Sequence, residues 1–344
     1  MTADTLYLDH AATTPLLPAA HAAMDEGWRL WANPSSPHRP GRAARAALED
    51  ARARLKAALG WQGEVVFTSG ASEALTLAIS YSKLPLAAVS AVEHEAVLRH
   101  AGDAARLPVD RRGLVYPPDA VLAGLVAVQH ANNETGVLQP LAEIAERVRH
   151  AGGLLLADCA QTAGKIPLPD VDMIALSAHK FGGPIGTGAL LLRDYAMLEP
   201  SGGQERGYRG GTENLPGVLA MVAALEAGAE WMPGAVRLRE RLETALRGSG
   251  AEIVADAAPR IPTIGAVRMP GVTAASQLIR LDAMGIAVSA GSACSSGSLK
   301  TSHVLGAMDI EGASEVIRVS LGRETREADV DRFIEAWQSI AAKA

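Results

Sequence analysis

The side chains with the most chemistry in this chain stand where apolar runs stop. Residues 173–176 (MIAL) read as a short buried strand; Ser177, His179 and Lys180 follow, and then Gly182, Gly183 and Pro184. A strand end followed at once by glycines leaves a side chain free in a cleft. A lysine there suits Schiff-base chemistry, because partial burial lowers its pKa and frees the amine as a nucleophile. Taken alone, the run reads more readily as a surface loop with an exposed lysine.

Other groups sit in similar places. Thr68, Ser69, Gly70, Ala71 and Ser72 lie between a strand (EVVFT) and a helix (ASEALTLAIS), where free N–H groups and the helix dipole form an anion site or an ordinary N-cap. Asp158 follows the strand GGLLLA, at the end of a strand where parallel sheets bind ligands, and Gln161 lies three residues on. Asn132 and Asn133 follow the apolar run near 124–129, and His94 follows LAAVSAV. The glycine-dense segment 202–214 carries Arg206, Arg209 and Thr212. In 289–303, Cys294 has only small and polar neighbours, which points to reactivity rather than packing. Arg323 follows a strand and suits a bidentate clamp on a carboxylate, or a surface ion pair.

Elements must position these groups. Apolar strands near 64–70, 86–92, 124–129, 153–157 and 171–176 alternate with helical stretches at 41–59, 71–80, 140–151 and 216–230, a pattern of βα units with a mostly parallel sheet. After Pro233-Gly234 the chain reads as a smaller α+β unit: helix 235–247, strands near 263–268, 286–289 and 316–320, and a closing helix at 327–342. A length of 344 residues and a 48% apolar fraction fit about two domains with sizeable cores. The net charge of −6 and the absence of a basic block argue against nucleic acid as the partner. No apolar run reaches about 18 residues and no secretory leader is visible, so a cytoplasmic protein without a membrane span is expected. Two distant cysteines, Cys159 and Cys294, are expected to be free thiols; they are too few for a four-cysteine metal or cluster site.

In order and spacing, these segments closely resemble the cysteine desulfurases, class V aminotransferase-like enzymes on the fold-type I pyridoxal-phosphate scaffold. YLDHAATTP (7–15), NPSS (33–36), FTSGASE, EHEAVL, NNETGVLQP, DCAQTAGK, SAHKFGGP, GGQERG, GTEN, SAGSACSSGSL and IRVSLGR (317–323) carry the resemblance over nearly the whole length. The long cysteine segment looks like the branch containing the NifS and IscS types. The fold implied is an α/β transferase with a seven-stranded-type, mostly parallel sheet. Residues 16–235 would form the large cofactor-binding domain, and 1–15 with 236–344 the small domain carrying the cysteine.

The resemblance implies residue roles. Lys180 would hold pyridoxal 5'-phosphate and move protons at the substrate α-carbon. Asp158 would pair with the ring nitrogen. Gln161 and Asn133 would contact the ring oxygen side, and His94 would stack on the ring and assist proton transfer. Ala71, Ser72, Ser177 and His179 would hold the phosphate, with Thr212 reaching that of a neighbouring subunit in a homodimer. Arg323, with Asn133 nearby, would bind the carboxylate of L-cysteine. Cys294 would take the sulfur as a persulfide, releasing L-alanine, and pass it to an acceptor protein, as in iron–sulfur cluster assembly or tRNA thiolation. A selenocysteine or cystine lyase or an aminotransferase on the same fold is the alternative. A cofactor-free scaffold protein is disfavoured by the presence of Lys180, Asp158, His94 and Arg323 together. The chain departs from the family in being several tens of residues shorter than its common housekeeping members, with an early stop after the closing helix that puts docking to a cluster scaffold in doubt. Phe181-Gly182 replaces a bulkier pair, and Cys159, next to Asp158, is expected to be a buried packing residue.

Overall fold

The computed structural model describes residues 5–116, 123–291 and 302–342. The strands are β1 (Leu6–Tyr7), β2 (Glu64–Thr68), β3 (Leu86–Ser90), β4 (Ala105–Leu107), β5 (Leu125–Ala127), β6 (Leu154–Asp158), β7 (Met173–Ser177), β8 (Gly188–Leu192), β9 (Glu252–Ile253), β10 (Ile264–Arg268), β11 (Ile286–Ala287) and β12 (Val316–Ser320). The helices are α1 (Pro18–Arg29), α2 (Arg39–Leu59), α3 (Ala71–Ser80), α4 (Glu95–Leu98), α5 (Leu141–His150), α6 (Leu215–Glu226), α7 (Met232–Arg247), α8 (Ala274–Ala283), α9 (His303–Ala307) and α10 (Glu327–Ala341).

Seven strands form the large sheet, in the order β2-β8-β7-β6-β5-β3-β4. Strands β7, β6, β5, β3 and β4 are mutually parallel, while β8 runs antiparallel to both of its neighbours. The sequence reading lacked β8. Its five residues are all buried, and it inserts between β2 and β7. All five residues of β7 are buried too, as expected for a strand covered on both faces. One face of the sheet packs against residues of α1, α2, α5 and α6, the other against α3 and α4.

Helix α2 shows how the sequence dictates this layer. Ala44, Leu48, Ala51 and Leu55 recur on one stripe and are buried, and the ring of His38 accepts the Gly41 N–H at 3.2 Å as a cap. The helix stops at Gly60, which takes the left-handed conformation at φ 64°. A three-stranded sheet, β12-β10-β9, carries a second core with α7, α8 and α10. Strand β1 pairs in parallel with β11, so the segment that opens the described chain joins elements near its other end.

Candidate active site

Strands β3, β5, β6 and β7 are parallel neighbours, so their carboxyl ends share one edge. His94 follows β3, Asn133 follows β5, Asp158 ends β6, and Lys180 ends the short 3-10 turn after β7. Because β8 opposes both β2 and β7, β2 points the same way as β7 and delivers the 68–72 turn to that edge as well. This is where open α/β sheets bind ligands.

Lys180 Nζ donates to the carbonyl oxygens of Ala11 (2.6 Å) and Ala12 (2.7 Å). Burial and the nearby Arg318 charge push its pKa down to about 8, against the pull of Asp158 and Asp9, so a far larger fraction of the amine is neutral near physiological pH than for an ordinary lysine. The ring of His179 lies 3.1 Å from the Thr13 hydroxyl, and burial and two lysine charges push it down to about 4, which keeps it neutral. Asp158 Oδ1 accepts the Ala160 N–H at 2.9 Å, and no donor among the described residues reaches Oδ2. Removal from water raises this carboxyl, while the His94 and Lys180 charges draw it back. His94 Nδ1 accepts the Ala96 N–H at 3.1 Å, which leaves the ring proton to Nε2, and burial lowers the ring's pKa. Gln161 Nε2 donates to Ala11 O at 2.9 Å, while its buried Oε1 has no partner among the described residues.

The 68–72 turn is built for close approach. Gly70, the N-cap of α3, has φ 149°, a conformation that side chains rarely permit. A Cβ on Gly188 would lie 2.6 Å from Gly70 Cα, so only glycine lets β8 start against this turn. The Ser177 hydroxyl stands 3.5 Å from where a Gly70 Cβ would be. The first amides of α3, at Ala71 and Ser72, have no intrahelical acceptor. An anion-binding cradle, a lysine of lowered pKa, a carboxylate with an open oxygen and an orphaned amide oxygen match the donors and acceptors that pyridoxal phosphate requires.

Arg323 corrects the sequence reading. Its guanidinium donates to the carbonyls of Ala227, at 3.2 Å, and Gly228, at 2.5 Å, and lies 5.8 Å from the Trp231 ring, so it closes a turn. Arg318, which the reading missed, takes the place by the lysine. It donates to Asn133 O (3.0 Å) and Asp9 Oδ1 (2.7 Å), its Nε is buried without a partner, and its charge acts on Lys180. The available signal was a cation inside the apolar strand VIRVS, every residue of which is buried. Asn132 is spent on its own turn: its Oδ1 accepts the N–H groups of Glu134 and Thr135, both at 2.9 Å. The Asn133 side chain makes no such bond. Thr212 is exposed at the rim of a groove of about 210 Å³ lined by Trp31, Asn33, Glu213 and Leu215. Cys159 is buried in the core as expected, and burial pushes its thiol well up, away from reactivity. Cys294 lies outside the described residues.

Residues 6–333 match the family model described as aminotransferase class-V. A cysteine desulfurase of Cereibacter sphaeroides is 39% identical over 377 aligned positions, covering 98% of this chain and 96% of the relative. That alignment is longer than this chain of 344 residues, so gaps open in the chain where the relative carries insertions. A solved NifS-like protein superimposes with a TM-score of 0.88 at 30% identity, covering 99% of this chain and all of that one. A structure titled SspA in complex with cysteine matches with a TM-score of 0.79 at 27% identity, covering 93% of this chain and 99% of that one. The chain belongs to the class V aminotransferase family.

Proposed function

We propose that this protein is a cysteine desulfurase, converting L-cysteine to L-alanine and passing the sulfur to its own Cys294. The observation that carries the reading is Lys180: an amine with a pKa of about 8, held by the Ala11 and Ala12 carbonyls on the edge that also presents Asp158, His94 and an arginine. The cysteine desulfurase relative and the neighbour titled as a cysteine complex support the choice of substrate.

Pyridoxal phosphate, when bound, supplies an electron sink for the α-carbon of an amino acid. Lys180 would hold the cofactor through its amine, and the same amine is placed to take and return the substrate α-proton. The Asp158 carboxylate would keep the ring nitrogen protonated, Gln161 and Asn133 would contact the ring oxygen side, and His94 would cover the ring. Ala71, Ser72, Ser177 and His179 would hold the phosphate, with Thr212 serving the site of a second copy in a homodimer. Arg318, rather than Arg323, binds the substrate carboxylate. The Cys294 thiolate attacks the substrate sulfur, an S–S bond forms as the C–S bond breaks, and the carbon left behind takes a proton to give alanine. The persulfide then delivers its sulfur to an acceptor protein.

The chain is divided, on this reading, into a large unit at 16–235 and a small one at 1–15 with 236–344. A cytoplasmic location fits thiol chemistry of this kind. No helix among the described residues is long and apolar enough to cross a membrane.

Alanine and sulfide production from L-cysteine plus a reductant tests the proposal. Wild type forms both, and Cys294→Ala forms neither while retaining the cofactor's visible band. Alanine formation by Cys294→Ala at the wild-type rate would overturn it.

A further inference from the structure

Two glutamates are equally deep in this protein, each 1% exposed, and they are treated in opposite ways. Glu205 meets the Arg52 guanidinium through two hydrogen bonds, at 2.8 and 3.0 Å. Glu93, next to His94, has no cationic partner among the described residues. Its Oε1 accepts the Gln129 N–H at 2.7 Å, and its Oε2 is buried without a hydrogen-bond partner.

The groups around Glu93 come from every neighbouring element. Ser90 at the end of β3 lies beside it, with its hydroxyl oxygen already accepting the Val92 N–H at 3.2 Å. Gln129, after β5, is bound through its side chain to the Val92 carbonyl. Asp158, at the end of β6, adds a negative charge. His303, at the start of α9, places a ring nitrogen 2.9 Å from the Glu93 backbone carbonyl rather than from its carboxyl. A carboxylate buried among these groups would have one N–H for support and a second carboxylate for company.

We propose that Glu93 is a positioning residue that stays protonated at neutral pH, so that Asp158 is the member of this carboxyl pair that carries the negative charge toward the cofactor ring nitrogen. A buried carboxyl with one oxygen unpartnered does not ionise cheaply beside a second negative charge, and the proton settles on the one with less support. Asp158 has the Ala160 N–H and the attraction of His94 and Lys180; Glu93 has the Gln129 N–H on one oxygen and no partner on the other. The direction of the Glu93 pKa, well above the usual carboxylate range through burial first and Asp158 second, agrees with the geometry. The inference rests on the cofactor reading above, but its test does not use the cofactor.

Infrared pH-difference spectra of the purified full-length chain, before pyridoxal phosphate is added, read the proton directly. A carboxylic-acid carbonyl band persists at neutral pH in wild type, is missing in Glu93→Gln, and vanishes at lower pH in Asp158→Asn, where the repelling charge is gone. Thermal unfolding gives a second readout. An acid protonated in the folded state and ionised in the unfolded one costs stability as pH rises above its unfolded pKa. The Tm of Glu93→Gln therefore gains on wild type by about 2 °C per pH unit between about pH 5 and pH 8. Should Glu93→Gln fail to fold, the wild-type band and its shift in Asp158→Asn still decide. No acid band at neutral pH, a band that Glu93→Gln leaves intact, no shift in Asp158→Asn, or a Tm difference flat with pH would each overturn the proposal. None of these outcomes touches cysteine turnover, so the two readings fail separately.

Discussion

The cluster around Arg52 and the cluster around Lys180 are both polar and both buried, yet they are finished to different degrees. Arg52 spends its guanidinium on Glu205, on the Val65 carbonyl at 2.6 Å and on Glu49 at 3.2 Å, and lies 4.6 Å from the centre of the Phe67 ring. Glu205 takes the Phe67 N–H as well, at 2.8 Å. This matched set holds Glu205 and Arg206 at φ 47° and 57°, in a conformation such residues seldom adopt. Around Lys180 the ledger is open: Gln161 Oε1, Arg318 Nε and His10 Nδ1 are buried without partners, and Lys165 is buried without an acceptor among the described residues. Completed charge networks fix backbone. Incomplete ones keep donors and acceptors for something that arrives later.

Substitutions sharpen that contrast. Lys180→Ala has the largest effect: cysteine turnover falls by about 10²–10⁴-fold or more, and borohydride no longer fixes the cofactor to the chain, while circular dichroism stays native. Glu205→Ala does the reverse. It strands the buried Arg52 and lowers unfolding free energy by about 3–5 kcal/mol, read by urea titration. Arg318→Gln raises KM for cysteine about 10–100-fold through loss of charged hydrogen bonds worth about 1.5–3 kcal/mol, and also lowers stability, by less than Glu205→Ala, because its pair with Asp9 is lost. Capture of pyridoxal phosphate by the cofactor-free chain, followed in the visible, speeds up as pH rises through about 8 and then levels, because only the neutral Lys180 amine attacks. The smallest effect is that of Arg323→Gln, which removes about 1 kcal/mol of stability and leaves KM alone. A KM effect from Arg323→Gln larger than that from Arg318→Gln would reverse the assignment of the two arginines.

Much of this layout is legible in the sequence because its signals are local. Apolar runs that end in Gly, Ser, Asp or Lys marked the strand ends holding Asp158 and Lys180, and the stripe with its glycine stop marked α2. Helix α1 went unread because Leu17, its N-cap, offers no side-chain cap, which leaves Pro18 at the first helical position as a weak start signal. Strand β8 went unread because a five-residue apolar run after glycines looks the same whether it pairs or merely fills space; its partners lie far off in sequence. The exchange of Arg323 for Arg318 has the same origin. Arg318 lies inside one strand and Arg323 just beyond its end, and only the strand's pairing with β10 and the bridge from Ser320 to Asp9 decide which of them faces the lysine. The unpaired state of Glu93 is a property of burial among distant residues, which no spacing reveals.

The segment from Leu6 to Ala12 carries a consequence for the order in which this protein can be made. Leu6 pairs with Ile286, Ser320 takes the Ala11 N–H at 2.9 Å, and the carbonyls of Ala11 and Ala12 hold Lys180. A ribosome releases Leu6 long before Ile286 and Ser320, so a growing chain that has already made Lys180 lacks a fixed seat for its amine until those later residues are made. Contacts between such distant positions form slowly. Loading of the cofactor is therefore a late event, one that a chain stalled ahead of β11 cannot reach.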